Sequence, residues 1–296
     1  MLISRALLVP SSPTLLIDER RGNSTTMLEA MVEAGTRLEA DLPEVLVVVT
    51  SRWASGAAFQ ADDAKKHTSL IDMPEFGVVP RYDCAGEPGL ARAILEEARS
   101  AGLRAAAARR GADSGISVPL HFLAAARLST VVPVSLSDAP PEAHRVWGAC
   151  LRRVMTAWNG RAALIVSGAL TFHQHSFHLK REIAEDRDLD AAALEALKAG
   201  AWNALEELRP KAASKAHPEA GWKHLDVLRG FLRDDLAGRV WAYEALPGIG
   251  EALVEFELAA KPADEPRAAE PGSAVTEPAP PLAEASPPAP ETPAAS

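Results

Sequence analysis

The feature that most constrains the fold is a continuous apolar run at residues 45–49 (VLVVV), which is matched in character by residues 162–166 (AALIV). Such runs are typical of strands buried on both faces, as in parallel sheets covered by helices. Segments with helical spacing of apolar residues lie before and between these runs, at 25–40, 88–102 and 142–158. The alternation predicts an α/β domain with a central, mostly parallel or mixed sheet flanked by helices.

Several further elements carry more specific expectations. Residues 131–136 read as a strand whose Pro133 places it at an edge or end of the sheet. Residues 239–243 and 252–258 alternate like half-buried strands and are separated by a turn at 247–250.

The composition changes after residue 260. Residues 261–296 are rich in Pro and Ala and carry six acidic residues against two basic ones. Val275 and Leu282 are the large aliphatic residues of this segment, which therefore cannot bury enough apolar surface to offset its ordering entropy. The sequence predicts a single domain over residues 1–260 and a disordered, acidic Pro/Ala-rich tail over residues 261–296.

Charge and composition argue against several classes of protein. A net charge of −9 gives little support to a nucleic-acid partner or an anionic membrane surface. No apolar run approaches the roughly 18 residues of a membrane span, and we interpret the N-terminus as a strand, not as a signal peptide. Cys84 and Cys150 alone cannot build a disulfide framework or a zinc cluster. We therefore expect a cytoplasmic protein without nucleic-acid or membrane partners.

Small and polar residues follow three of the predicted strands. Ser12 follows the first strand, Arg52 follows the second, and the segment 167–173 follows a later one. Ligands of open α/β sheets bind outside the carboxyl ends of the strands, so these residues are predicted to line one pocket. A guanidinium at Arg52 can hold the carboxylate of a substrate or of a neighbouring acid, with a salt bridge at the rim as the alternative.

Three histidines, His173, His175 and His178, lie within six residues. In a strand His173 and His175 would share a face, and in a helix His175 and His178 would, so no regular element aligns all three. A polar loop that sends one imidazole into the pocket is favoured over a metal site. Ser114, like the other candidate serines, lies outside a G-x-S-x-G motif and is expected to be a loop or capping residue.

Six segments, taken in order, resemble the class III extradiol ring-cleavage dioxygenase superfamily. This superfamily is typified by the protocatechuate 4,5-dioxygenase catalytic subunit and includes the Memo proteins. The segments are 9–16 (VPSSPTLL), 47–53 (VVVTSRW), 113–120 (DSGISVPL), 166–170 (VSGAL), 221–225 (GWKHL) and 243–256. They span nearly all of residues 1–258. The GWKHL segment and the short motif after the first strand are most similar to the non-catalytic alpha subunit of 2-aminophenol 1,6-dioxygenase.

The resemblance implies where a catalytic site would lie. In active members a ferrous ion is held by two His and one Glu, and further His act as acid–base groups. One ligand His would fall on Ser12 or Pro10 of this sequence, the second on Arg52, and the Glu on or near Glu219. A further pocket His would fall on Ser114.

This sequence departs from the superfamily at the metal position. The first histidine of the chain is His67, so the stretch that should carry both ligand imidazoles has none. A fourth pocket His falls on Phe172, one residue before His173. Arg52 brings a permanent positive charge that would repel a dication and could instead pair with Glu219. We therefore predict no metal site and no bound cofactor, although active relatives use ferrous iron.

These observations favour a superfamily member that has lost the iron-ligand histidines and acts as a non-catalytic structural or binding subunit. Its partner would be an iron-bearing paralogous subunit or further copies of itself. One alternative is an active ring-cleaving dioxygenase, or another metal-dependent enzyme using residues 173–178, with His173 or His175 as general base near Ser114 or Glu219. The other alternative is a Memo-like adaptor.

Overall fold

The computed structural model describes residues 2–78, 82–123, 129–212, 215–233 and 235–258. These residues form an α/β domain with a central mixed sheet flanked by helices, which confirms the predicted fold class. The predicted tail at 261–296 lies outside the described residues, so its disorder and the boundary at residue 260 stay predictions. In the part of the chain that the structure describes, no helix is long and apolar enough to cross a membrane.

The elements alternate along the chain as the apolar pattern predicts. The strands are, in chain order, β1 (Leu2–Val9), β2 (Val45–Ala54), β3 (Phe59–Asp62), β4 (Lys66–His67), β5 (Cys84–Ala85), β6 (Ala105–Ala108), β7 (Thr130–Leu136), β8 (Ala162–Ser167), β9 (Thr171–Phe172), β10 (Arg239–Leu246) and β11 (Ile249–Glu257). The helices are α1 (Thr14–Arg21), α2 (Thr26–Ala40), α3 (Pro88–Ser100), α4 (Ser114–Phe122), α5 (Pro141–Ala157), α6 (Gln174–His178), α7 (Ala184–Ala199), α8 (Trp202–Ala212) and α9 (Lys223–Leu232).

The main sheet has the strand order β10-β11-β1-β8-β2-β7-β3-β6, with β9 paired to β11. Strands β1, β8, β2 and β7 are parallel neighbours, whereas β11 runs antiparallel to β1, β10 and β9. Because the four central strands are parallel, their carboxyl ends meet at one edge of the sheet. The residues that follow these strands converge at that edge.

Strand β2 shows why the sheet is covered on both faces. Val45, Val47 and Val49 belong to a core cluster shared with α3, α5 and α9, whereas Leu46 and Val48 belong to a second cluster shared with α2 and α4. All five side chains are at most 1% exposed. Each buried Val or Leu side chain contributes about 1.5–3 kcal/mol through removal of apolar surface from water. The continuous apolar run therefore does form a strand buried on both faces.

Helices α5 and α9 pack with their backbones in contact through two glycines. A Cβ at Gly148 would lie 2.0 Å from the Val227 carbonyl oxygen, and a Cβ at Gly230 would lie 1.9 Å from the Arg145 carbonyl oxygen. Only glycine permits this approach, because any larger residue would drive the helices apart. The contact fixes α9 against the sheet, and α9 follows directly on the turn that carries Glu219.

The expectation that Pro133 marks an edge or end of the sheet is wrong. Strand β7 lies inside the sheet, and Pro133 pairs in register with Val48 of β2. On its other side β7 joins β3 at the single pair Ala61–Val134. A proline has no N–H to donate, and it is tolerated here because one flank of β7 has little regular pairing.

The β10–β11 hairpin confirms the predicted turn and corrects the predicted burial. Leu246 pairs with Ile249 across the two-residue turn Pro247–Gly248, where Gly248 has a φ of 71° that favours glycine. Strand β11, however, is buried from Ile249 to Phe256 and is not half-buried. Its two faces are covered by different core clusters, since Val254 and Phe256 belong to one cluster and Leu253 belongs to the other.

Candidate functional site

The segments that follow β1, β2 and β8 lie close together at the carboxyl edge of the sheet. The Gly168 N–H after β8 donates to the Val9 carbonyl at the end of β1 (3.0 Å). A Cβ at Gly168 would lie 2.9 Å from the Ser51 hydroxyl oxygen and 3.1 Å from a carboxylate oxygen of Glu219. The chain therefore approaches closely enough here to bring the ends of three strands and Glu219 together.

Arg52 and Glu219 form an ion pair in the centre of this edge. The Arg52 Nη1 lies 3.0 Å from the Glu219 Oε1, and the two side chains are 12% and 5% exposed. The other carboxylate oxygen of Glu219 accepts a hydrogen bond from the Ala169 N–H. The Arg52 guanidinium also stacks 4.2 Å from the centre of the Phe172 ring. The pairing expected from the sequence is present, and Phe172 adds a contact that was not expected.

A strained turn holds Glu219 in place. Ala220, Gly221 and Trp222 follow it with φ values of 48°, 62° and 61°, all in the left-handed region that disfavours the two non-glycine residues. The Trp222 indole N–H donates to the Leu170 carbonyl at 2.7 Å and anchors the turn against the loop after β8. The turn thus positions this carboxylate beside Arg52 at a cost in backbone strain.

Glu251 is a second buried carboxylate at the same edge, which the sequence reasoning missed. Its Oε1 accepts hydrogen bonds from the Ser11 N–H (2.9 Å) and the Ser12 N–H (2.7 Å). Burial is the main cause that raises the pKa of Glu251 to about 7, and Glu219 raises it further; the two N–H groups and the Arg52 charge oppose this shift. The available signal was an acid inside a strand that is buried from Ile249 to Phe256.

His224 was also missed, although the GWKHL segment contains it. The ring is fully buried. Burial lowers the pKa of His224 to about 4, and the nearby Glu219 carboxylate opposes this only in part, so the imidazole is neutral at pH 7. Together with Glu219 and Arg52 it makes the inside of this edge polar but enclosed.

Ser12 and Ser114 have structural partners. The Ser12 hydroxyl accepts hydrogen bonds from the Thr14 N–H (3.3 Å) and hydroxyl (3.0 Å), which places it at the start of α1. The Ser114 hydroxyl donates to Asp72 at 2.7 Å, and its N–H donates to the same carboxylate at 3.0 Å. These contacts tie loops together, and neither serine is the N-cap residue of its helix, a position held by Pro13 in α1 and by Asp113 in α4.

Asp113, beside Ser114, connects this loop to the end of β2. It accepts hydrogen bonds from the Thr50 hydroxyl (3.1 Å) and from the Arg110 Nε (3.2 Å). Burial, followed by the charge of Asp72, raises the pKa of Asp113 to about 6 despite its contact with Arg110. The Arg110 Nη2 also donates to the Arg52 carbonyl (3.0 Å), so Arg110 braces the backbone of the ion-paired arginine.

The His173–His178 segment forms the short helix α6 with His173 at its start. The His173 ring stacks on His217 at 3.9 Å, and its Nδ1 lies 2.7 Å from the Ser176 hydroxyl. His175 lies farther away, 6.3 Å between ring centres. Partial burial and the neighbouring His217 lower the pKa of His173. Across the described ranges, no three His, Cys, Asp or Glu side chains are grouped to hold a metal ion.

An apolar cover closes one side of the edge. Phe76 stacks on Phe177 of α6 at 4.8 Å, and Met73 and Phe172 belong to the same small apolar cluster. Phe172 thus packs against this apolar cluster, and the Arg52 guanidinium lies over its ring. The cover and the ion pair are therefore parts of one packed unit.

A protein-family comparison matches residues 6–254 to the family described as the catalytic LigB subunit of aromatic ring-opening dioxygenase. The chain belongs to the LigB family. One relative, the 2-aminophenol 1,6-dioxygenase alpha subunit of a Pseudomonas species, is 30% identical in an alignment of 282 residues, and the match covers 87% of this chain and all of the relative. The resemblance found in the sequence is therefore confirmed at the level of the family.

A solved structure supports the fold of the LigB-family chain. The crystal structure of an uncharacterized protein from Escherichia coli K12 superposes with a TM-score of 0.61 and 15% sequence identity. The match covers 85% of this chain and 99% of the other. At this identity the likeness shows a shared fold alone.

The sequence resemblance implies a ferrous ion, held by two imidazoles and a carboxylate, where the structure places the Arg52–Glu219 ion pair. The carboxylate is Glu219, but the group 3.0 Å from it is the guanidinium of Arg52, which has no acceptor atom to offer a metal. A dication bound to Glu219 would face this fixed positive charge at close range. The arrangement instead neutralises one buried carboxylate with a cation that belongs to the chain.

Proposed function

We propose that this chain is a LigB-family member without iron-dependent chemistry of its own, acting as a structural or binding subunit of an aromatic ring-opening dioxygenase. The observation that carries the proposal is the Arg52–Glu219 ion pair, which lies where the family resemblance puts a ligand His and the ligand Glu. Arg52 supplies the positive charge there, and the ring of Phe172 stands where a further pocket His is expected.

In this proposal Arg52 and Glu219 stabilise the edge of the sheet instead of handling substrate. Ser12 and Ser114 contribute loop contacts, and His173 lies at the rim, stacked on His217. None of these roles requires a metal ion with an open coordination position. The arrangement favours a rigid surface over an open reaction chamber.

The proposed partner is an iron-bearing LigB-family subunit, and self-association is the alternative. Support comes from the Pseudomonas relative, whose name identifies it as an alpha subunit and which aligns with this chain over its whole length. An alpha subunit implies at least one other kind of subunit. We extend that assembly to this chain as part of the proposal.

The test is to purify the full chain alone and after co-expression with an iron-bearing LigB-family paralogue, if its gene lies nearby. Alone, we expect substoichiometric iron and no ring cleavage of catechol or 2-aminophenol, because Glu219 is already paired with Arg52. Co-expressed, we expect a stable complex that cleaves the ring and contains iron only in the partner. Near one equivalent of iron in the chain alone, removed by chelation together with activity, would overturn the proposal.

A second candidate is an enzyme that uses the His173 region, and one observation favours it. His173 is partly exposed, has a lowered pKa and lies within hydrogen-bond distance of the Ser176 hydroxyl, as a general base can. Hydrolytic or ring-cleaving activity of the chain alone that His173→Ala abolishes, with Gln174→Ala as the neighbouring control, would favour this candidate over the first.

A further inference from the structure

A strongly basic cleft lies beside β3, β4 and the amino end of α3. It has a volume of about 660 Å³, within the usual size of small-molecule sites. Five cationic side chains come to it from three separate parts of the chain: Lys65, Lys66, Arg92, Arg109 and Arg110. This concentration of positive charge occurs in a chain whose net charge is −9.

Two carboxylates, Asp62 and Asp63, also line the cleft, but three of its cations form no ion pair among the described residues. Lys65, Arg92 and Arg109 are exposed and form no ion pair with any other residue in the described ranges. The remaining two, Lys66 and Arg110, each contact a carboxylate outside the cleft lining. Charges left unpaired on three converging elements repel one another unless an anion comes between them.

The carboxylate at the base of the cleft is already engaged. Asp62 accepts hydrogen bonds from the N–H groups of Ala64 (3.0 Å), Arg110 (2.7 Å) and Gly111 (2.9 Å). These bonds, with a contact to His67, outweigh burial and lower the pKa of Asp62 to about 2. Asp62 therefore ties the two walls of the cleft together and fixes the positions from which the cations project.

The lining also limits what the cleft can bind. Its described residues include no aromatic ring, and the apolar ones are Ala64 and Pro88. A nucleobase or an aromatic substrate would find no stacking surface. Arginine forks match the oxygen geometry of phosphate.

We propose that this cleft binds a compact polyanion that carries several phosphate groups, held by Lys65, Arg92 and Arg109. The site is independent of the Arg52–Glu219 ion pair, so it stands or falls separately from the proposed function. Arg110 is a link between the two regions, since it donates to the Arg52 carbonyl and its N–H donates to Asp62.

The experiment measures binding of inorganic triphosphate to the full chain by titration calorimetry at low, fixed ionic strength. We expect saturable binding with one site per chain and an affinity that falls as salt is added. Arg92→Glu combined with Arg109→Glu should weaken the affinity at least about tenfold. The matched control is Arg181→Glu, an exposed arginine outside the cleft, which should change it less than about twofold.

Thermal unfolding of each variant without ligand checks that the substitutions leave the fold intact. A triphosphate-dependent rise in Tm that sodium chloride at equal ionic strength does not reproduce supports the proposal. The proposal is overturned by non-saturable binding, by equal loss of affinity in the Arg181→Glu control, or by unchanged affinity in a folded Arg92→Glu/Arg109→Glu protein.

Discussion

The ion-paired edge buries a positive charge beside a carboxylate, whereas the basic cleft leaves positive charges exposed to solvent. Arg52 is almost fully buried and lies between the Glu219 carboxylate and the Phe172 ring. Arg109, in the cleft, is exposed and has no ion-pair partner in the described part of the chain. The two arginines are 57 residues apart in sequence, yet Arg110 is bonded to the backbone of one and adjacent to the other.

The difference follows from the cost of taking a charge out of water. A buried ion must be neutralised and hydrogen-bonded inside the protein, and removing its partner leaves an uncompensated charge. An exposed ion remains hydrated and contributes little to folding. Removing a charge should therefore lower the stability of the protein at the ion-paired edge and lower the affinity for ligand at the cleft.

The largest loss of stability is expected for Arg52→Met, because this substitution leaves Glu219 buried beside Glu251 without a cation. Its free energy of unfolding should fall by about 3–5 kcal/mol. Arg109→Met in the cleft is the matched control and should change stability by less than about 0.5 kcal/mol. Urea unfolding followed by circular dichroism measures both. Equal effects of the two substitutions would erase the distinction between the regions.

A smaller effect is expected at Glu251, where burial separates the pKa of the folded state from that of the unfolded chain. The folded value is about 7 and the ordinary value is 4.5, so the folded protein holds the proton more tightly. Wild-type stability should therefore fall as pH rises from about 4.5 through 7, by on the order of 2–3 kcal/mol relative to Glu251→Gln. The difference between their unfolding free energies at pH 5 and pH 8 tests this, and a pH-independent difference contradicts it.

The smallest expected effect concerns Asp190, a buried carboxylate whose partners are hydroxyls. It accepts hydrogen bonds from Tyr243 (2.7 Å) and Thr171 (3.0 Å). Tyr243→Phe should lower the free energy of unfolding by about 1–2 kcal/mol, since one neutral donor is lost instead of a cation. A loss as large as that of Arg52→Met would show that hydroxyl and guanidinium partners are equivalent here. Tyr82→Phe, a tyrosine in a different part of the fold, serves as a comparison.

The sequence predicted the covered central strands because their apolar runs leave no polar face. It did not predict β6, since four consecutive alanines show no strand periodicity and form a strand here only by pairing with β3. The sequence also did not predict the internal position of β7. Pro133 is tolerated there because β3 pairs with β7 at the single pair Ala61–Val134, and this long-range pairing is not visible in the local sequence.

The candidate site was predicted in part. The family motifs located Arg52, Glu219, Ser12 and Ser114, and the charge argument anticipated the ion pair. Glu251 could not be placed from local pattern, because its hydrogen bonds reach residues about 240 positions earlier through the pairing of β11 with β1. Long-range register, not local sequence, decides which acid lies beside the first strand.

The glycine contact between α5 and α9 influences the Arg52–Glu219 ion pair from a distance. Since α9 begins immediately after the turn that carries Glu219, the placement of that carboxylate depends on how far the helix axes stand apart. A single methyl group added at Gly148 or Gly230 would tilt α9. The Glu219 carboxylate would then move away from the Arg52 guanidinium. A mutation that changes no charge would thereby alter the electrostatics of the whole sheet edge.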